Sequence, residues 1–229
     1  MSASIFFKEG VDSYLADLDA ASGVIGGFTK SGLPGEAAPD MRTALAPAGF
    51  DARVACMQQV HGSHVKIVSE PGIYAVSDGL FTAARNLAVV VRTADCLPLI
   101  FYSERLKMTG VVHMGWRSAS AGILRKTGID LSSFLCIAGV GMRACCYEVG
   151  EEFLDKQLLA DFLSRKEGKL YLDPVAFARA QLVGEGMREN NFIDLGICSR
   201  CSDKGFHSHR RTGTAHRTLS FALMRDAGN

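Results

Sequence analysis

Three side chains able to bind a soft metal stand at the edges of apolar runs: His61 in "QVHGSHV", Cys96 in "TADCLPLIFYS" and His113 in "GVVHMGW". Two imidazoles and a thiolate suit zinc, and three protein donors leave a fourth tetrahedral position for water. The gaps from His61 to Cys96 and from Cys96 to His113 are too long for a finger-type motif. The trio is therefore a site only if the fold brings it together. A closer pair lies in "CSRC", where Cys198 and Cys201 form a single CxxC with His207 and His209 downstream. Structural or mildly redox-active thiols are one reading of this pair, and a cramped structural metal site is the other. Cys145 and Cys146 follow a glycine-rich turn, a place where a nucleophile can sit, whereas Cys56 and Cys136 fall inside apolar runs and read as core.

Basic residues gather beside these groups. Arg117 follows His113 closely, and "HRRTGTAHR" supplies Arg210, Arg211 and Arg217. Guanidinium forks grip phosphate through paired hydrogen bonds, and a helix beginning near Trp116 would add backbone donors. The alternative for Arg210 and Arg211 is an ordinary solvated surface.

The elements that must position these groups are strands and short helices. Apolar runs at 87–91, 97–102 and 110–114 read as strands, as do "ARVACMQQV", "SSFLCIAGVG" and "NNFIDLGICS", with a turn at Gly62. Helices are expected over "RSASAGILRKTG", "GEEFLDKQLLADFLSR" and "PVAFARAQLVGEGMREN", the last with Asp173 as N-cap and Pro174 at N1. "MRTALAPAGF" reads as a short helix interrupted at Pro47. The Gly/Pro-rich segment 26–40 is expected to be a mobile loop. Strands and helices mix without a βαβ rhythm, which favours α+β or a layered sandwich over a doubly wound sheet.

The chain has 229 residues, 48% of them hydrophobic and 21% charged, with a formal net charge of +1. Mean hydropathy is +0.12. That length supports one sizeable core, so a single domain over 1–229 is expected. The charge balance supplies no overall field for nucleic acid or acidic lipid, and no basic stripe is interleaved with aromatics. No signal peptide or membrane span is read, so neither a nucleic-acid nor a membrane partner is expected. Seven cysteines, an odd number without a secretory leader, point to reduced thiols in the cytoplasm.

Seven ordered blocks, "QVHGSHV", "DGLFT", "TADCLPLIF", "VVHMGWRSASAGIL", "CCYEVGEEF", "LDPVAFARAQL" and "CSRCSDKGFHSHRR", carry a resemblance. Together they resemble the YfiH-type, or laccase-domain (multicopper polyphenol oxidoreductase-like), family from about residue 54 to the C-terminus. The resemblance implies a single-domain layered α/β/β/α sandwich with mixed sheets and one divalent metal. That metal is zinc, with copper as the other candidate, held by His61, Cys96 and His113. It implies a purine nucleoside phosphorylase acting on adenosine, inosine, guanosine and S-methyl-5′-thioadenosine, with adenosine deaminase activity.

On that reading Asp95, Arg117 and Cys96 are the catalytic candidates, with His64 the alternative proton carrier to Asp95. Gln58, Arg117, Arg210 and Arg211 are the candidate contacts to nucleoside and phosphate. A monomer or a homodimer is expected. Three departures from the family pattern bear on the pocket: a shortened segment before residue 54, "GVGMRACC" in place of a Gly-Pro turn, and Ser118 where a glycine is usual. Alternatives are a cysteine hydrolase or amidase editing peptidoglycan precursors, with Cys96 as nucleophile and His113 as base, a polyphenol oxidase-like protein, and a non-catalytic binding protein. Laccase chemistry needs several coppers, and one His/His/Cys trio cannot supply a trinuclear cluster.

Overall fold

The computed structural model describes residues 6–10, 13–19, 23–30, 33–34, 45 and 52–226. Its strands begin with β1 (Phe6–Glu9), β2 (Ser13–Asp19), β3 (Val24–Thr29), β4 (Leu33–Pro34), β5 (Arg53–Met57), β6 (Val65–Ile67) and β7 (Gly72–Tyr74). Next come β8 (Gly79–Thr82), β9 (Leu87–Thr93), β10 (Leu97–Ser103), β11 (Met108–Met114) and helix α1 (Trp116–Ser120). The chain continues through β12 (Leu135–Ala138), β13 (Glu148–Val149), β14 (Leu163–Lys166), β15 (Lys169–Leu172) and α2 (Pro174–Gly184). It closes with β16 (Phe192–Asp194), α3 (His209–Thr212) and β17 (His216–Met224).

Among the described residues, one sheet runs β1-β2-β3-β17-β9-β5-β7 with β4 also on β17, and a second runs β16-β12-β10-β11-β8-β6. A small sheet, β13-β15-β14, stands apart. Both large sheets are mixed: β5 pairs in parallel with β7 and β9, β6 with β8, and β12 with β16.

Alternation along the strands sorts side chains into layers. On β9, Leu87, Val89 and Val91 point between the sheets, while Ala88 and Val90 face outward to a cluster that includes Leu45. On β10, Ile100 and Tyr102 point between the sheets. Leu97, Leu99 and Phe101 face the opposite layer, formed by Ala119 of α1 and by Val175, Phe177 and Leu182 of α2. Strands buried on both faces read as continuous apolar runs, which is why 97–102 shows no polar alternation. The result is the expected α+β layered sandwich in one domain.

Several local readings change. The helix after His113 stops at Ser120, because Gly122 takes φ 75° and its N–H closes onto Ala119 O, a left-handed C-terminal turn. The long helix expected over 150–165 is absent; single 3₁₀ turns at Glu151–Phe153 and Ala160–Phe162 lead into the β14–β15 hairpin. Its two-residue turn, Glu167 (φ 51°) and Gly168 (φ 75°), matches the right-handed twist of the strands. Helix α2 starts as expected, with Asp173 Oδ1 accepting from the N–H groups of Val175 and Ala176. It ends early, at Gly184, with Gly186 at φ 93° beyond it. Within the segment 26–40, Gly26–Thr29 complete β3 and Leu33–Pro34 form β4. A Cβ on Gly27 would lie 2.7 Å from the Phe221 ring, so that glycine serves strand packing rather than a loop. Apart from Lys30, the rest of that segment, and "MRTALAPAGF" apart from Leu45, lies outside the described residues. Among the described residues no helix is long and apolar enough to cross a membrane.

Candidate metal centre

The chain leaves the first sheet at the end of β9 and enters the second at β10, and the crossing turn carries Asp95 and Cys96. Asp95 sits at φ 95° there, with its carbonyl accepting from Met142 N–H at 2.7 Å. Strand β11 runs antiparallel to β10 with His113 opposite Pro98, two residues from Cys96. The loop beyond β5 brings His61 to the same end of the sandwich, at φ 58°.

The ligand atoms of His61, Cys96 and His113 all lie within 4.8 Å of one another. The two imidazoles meet edge to face, with centroids 4.7 Å apart. A Cβ on Gly115 would come within 3.0 Å of Cys96 Sγ and 3.2 Å of His61 Cδ2, so only glycine leaves the space open. The donor set fits a zinc-class ion: two borderline nitrogens and a soft sulfur, converging from three separate segments.

Asp78, fully buried just before β8, organises the trio. Its Oδ1 accepts from His61 N–H at 2.9 Å and lies 2.8 Å from His113 Nδ1, while Oδ2 accepts from Gly62 N–H at 2.7 Å. The N–H of His113 also donates to the Asp78 carbonyl at 2.7 Å. Engaging Nδ1 leaves Nε2 of His113 for a metal, the usual role of a carboxylate behind a ligating histidine.

Considering the protein groups alone, burial pushes the Cys96 thiol up, but hydrogen bonds and charge from His113 and His61 outweigh it and bring it down to about 6. Burial pushes His113 down, yet its bonds to Asp78 and Cys96 raise it to about 9. Burial likewise opposes ionisation of Asp78, but the bonds from His113, Gly62 and His61 prevail and lower it. These surroundings favour the Cys96 thiolate, the form that ligates a metal.

The trio forms the floor of a cleft of about 480 Å³ lined by Arg92, Arg117, Arg210, Arg217, Trp116 and Tyr147, among others. That volume is in the range of small-molecule sites. Arg117 lies over the Trp116 ring at 4.4 Å, and Arg210 over Tyr147 at 5.5 Å while donating to the Glu148 carbonyl at 2.6 Å. Tyr147 is buried, and this raises its phenol, with the negative charge of Cys96 acting in the same direction.

Not every expected residue reaches the cleft. Gln58 is exposed and does not line it. Its neighbour Gln59 does, pinned by Nε2 to Arg92 O at 2.8 Å and by Oε1 to Arg92 N–H at 2.9 Å. Side chains alternate along an extended segment, so one residue of register puts Gln59, not Gln58, on the cleft. Arg211 also stays outside: its guanidinium donates to the carbonyls of Arg200, Ser202 and Phe206. His64 is exposed and contributes its carbonyl to Asp78 N–H. Asp95 does line the cleft, with Oδ1 accepting from Ser199 Oγ and Oδ2 from Arg210 N–H, both at 2.8 Å.

Asp78, Tyr147, Gln59 and Arg92 were not read from the sequence. For Asp78 the signal was an aspartate opening the apolar block "DGLFT", a polar group where burial should have demanded a partner. Cys198 and Cys201 are joined by Cys145 and Cys146, all four sulfurs lying within 4.8 Å. Neither His207 nor His209 belongs to that group; His207 stacks on His216 instead.

A family described as multi-copper polyphenol oxidoreductase laccase matches residues 34–225. A purine nucleoside phosphorylase of Aquifex aeolicus (strain VF5) is 32% identical over 168 residues, 70% of this chain and 77% of the relative. Adenosine deaminase RL5 from an unknown prokaryotic organism is 29% identical over 150 residues, 59% of this chain and 57% of the relative. The crystal structure of the hypothetical protein YfiH of Bacillus licheniformis superposes with a TM-score of 0.80 at 23% identity, covering 96% of this chain and 99% of that one. With that family's model matching most of the chain and the fold shared with YfiH, this protein belongs to the multi-copper polyphenol oxidoreductase laccase family.

Proposed function

We propose that this protein is a metal-dependent purine nucleoside phosphorylase acting on adenosine, inosine, guanosine and S-methyl-5′-thioadenosine, with adenosine deaminase activity. The observation that carries the reading is the His61/Cys96/His113 trio at the floor of an arginine-lined cleft. Zinc is the ion proposed, with copper as the alternative; held by His61, Cys96 and His113 it would supply a Lewis acid.

In phosphorolysis a phosphate oxygen bonds to C1′ as the bond from C1′ to the purine nitrogen breaks, and the purine leaves with the electron pair and gains a proton. Arg117 and Arg210 are proposed to hold the phosphate, as paired donors with fixed positive charge. The Trp116 and Tyr147 rings, with Arg117 and Arg210 packed over them, give the cleft an aromatic wall, and burial favours the protonated Tyr147 phenol, a hydrogen-bond donor. Asp95 acts as a positioning residue, because both carboxylate oxygens are spent holding Ser199 and the Arg210 backbone. In deamination water adds at C6 and ammonia leaves. Gln59, with its amide nitrogen and oxygen both bonded to the Arg92 backbone, is likewise proposed as a positioning residue. None of the chain's seven cysteines is in a disulfide, which suits a reducing cytoplasm.

One observation favours a second reading, a cysteine amidase acting on cell-wall precursors: the Cys96 sulfur and a His113 ring nitrogen lie within 4.8 Å of each other, as a nucleophile and its base would. Metal separates the two, since a ligated thiolate is not free to attack a carbonyl. The test is a product assay on metal-quantified protein incubated with adenosine, with and without phosphate, beside Cys96→Ala. Phosphate-dependent adenine, phosphate-independent inosine, and loss of both in the variant are expected. A metal-loaded protein that turns over neither adenosine nor inosine would remove the nucleoside reading.

A further inference from the structure

The four cysteines that the active-site cleft does not use come from two separate loops. Cys145 and Cys146 lie beyond β12, while Cys198 and Cys201 follow β16, and the two segments are stitched by a bridge between Gly141 and Cys198. Ser199 N–H donates to Gly141 O at 3.0 Å, and Arg200 Nη1 to Cys146 O at 3.2 Å. All four sulfurs lie within 4.8 Å of one another, and Cys145 Sγ to Cys201 Sγ is 3.7 Å. That separation is far longer than the roughly 2.05 Å of a disulfide. It equals the edge of a tetrahedron built on metal–sulfur bonds of about 2.3 Å, close to 3.8 Å.

We propose that Cys145, Cys146, Cys198 and Cys201 form a second metal site, a closed four-thiolate site for a zinc-class divalent ion, distinct from the His61/Cys96/His113 centre. Four protein ligands leave no position for water or substrate, so the site is structural. The sulfur of Cys198 is buried and faces the backbone N–H groups of Cys201, Arg143 and Arg200, donors that stabilise a ligated thiolate. Cys145 and Cys201 are exposed on the wall of a separate cleft, which gives an ion an entry path. Ion binding would displace the thiol protons and bond the sulfurs to one centre, with no change of oxidation state.

The placement explains what such an ion would brace. The same loops carry Met142 and Ser199, whose N–H and hydroxyl hold Asp95, and Tyr147, which lines the active-site cleft. Tying them together fixes one wall of that cleft from behind.

The experiment begins with native mass spectrometry and metal analysis of the full-length wild-type protein, for which about two zinc ions per chain are expected. The triple variant His61→Ala/Cys96→Ala/His113→Ala should keep about one, and its cobalt-loaded form should show an intense near-ultraviolet sulfur-to-cobalt band from the four remaining thiolates. Adding Cys198→Ser and Cys201→Ser should abolish that band. A wild type with a single zinc that disappears in the triple variant would overturn the proposal. So would intact disulfides among these four cysteines in freshly purified protein. If the triple variant fails to fold, the wild-type stoichiometry still decides, because one ion per chain is incompatible with two sites.

Discussion

Asp78 determines what kind of ligand His113 can be. By occupying Nδ1 and simultaneously accepting from the N–H groups of His61 and Gly62, one buried carboxylate fixes two of the three donors. Asp78→Ala is therefore expected to weaken metal binding about 10–100-fold, read by chelator competition, because His113 and the His61 backbone lose the carboxylate that orients them. Cys96 gives a complementary test after the metal is stripped. Its value near 6, set against an ordinary 9.0, means the thiolate fraction rises as pH climbs through about 6. Alkylation of the Cys96 peptide, followed by mass spectrometry over roughly pH 5 to 9, should be half-maximal near 6, where an ordinary thiol is almost unreactive. Half-maximal alkylation above pH 8 would show that His61 and His113 do not support the thiolate. The trio was legible in the sequence because histidine and cysteine at strand ends announce their chemistry by type. Asp78 was not, since its role lies in burial and in bonds to residues distant in the chain. Gln59 escaped for a smaller reason: a single step of register separates an inward from an outward side chain.

At the scale of the element, β11 is the rail that carries His113, and its neighbours tolerate little change. A Cβ on Gly110 would sit 2.3 Å from the ring of Phe81, itself fully buried against Phe101 and Phe134. Gly110→Ala is expected to cost about 3 kcal/mol from overpacking, lowering the thermal midpoint by roughly 6–12 °C. Calorimetry checks this, and an unchanged midpoint would show that the sheet gives way more easily than its packing suggests. The apolar strands β9 to β12 were readable because they are buried on both faces. The region 150–165 was not: its apolar spacing fits a helix, but pairing of Leu163–Lys166 with Lys169–Leu172 through a tight left-handed turn overrides that preference. The second cysteine pair was hidden for a related reason. An adjacent Cys145–Cys146 doublet does not look like a partner for a CxxC until two loops meet.

For the whole molecule, the layered sandwich matters because the chain passes repeatedly between its two large sheets, and one such seam is the turn between β9 and β10. The metal trio, the arginines and Asp95 meet at that seam, drawn from segments that no local motif connects. Layering was legible from strand periodicity together with the resemblance of seven ordered blocks, whereas convergence at the seam required the pairing of β10 with β11 and of β5 with β9. The claim that follows is that the trio's metal and the arginine-lined cleft act as one unit. Its most direct test is ribose 1-phosphate formation from inosine and inorganic phosphate by wild-type protein as purified, after chelation, and after zinc is restored, with Cys96→Ser alongside. Formation that is lost on chelation, regained with zinc and absent in the variant is the predicted result. Equal formation by chelated protein verified to lack zinc, or by Cys96→Ser, would contradict the account.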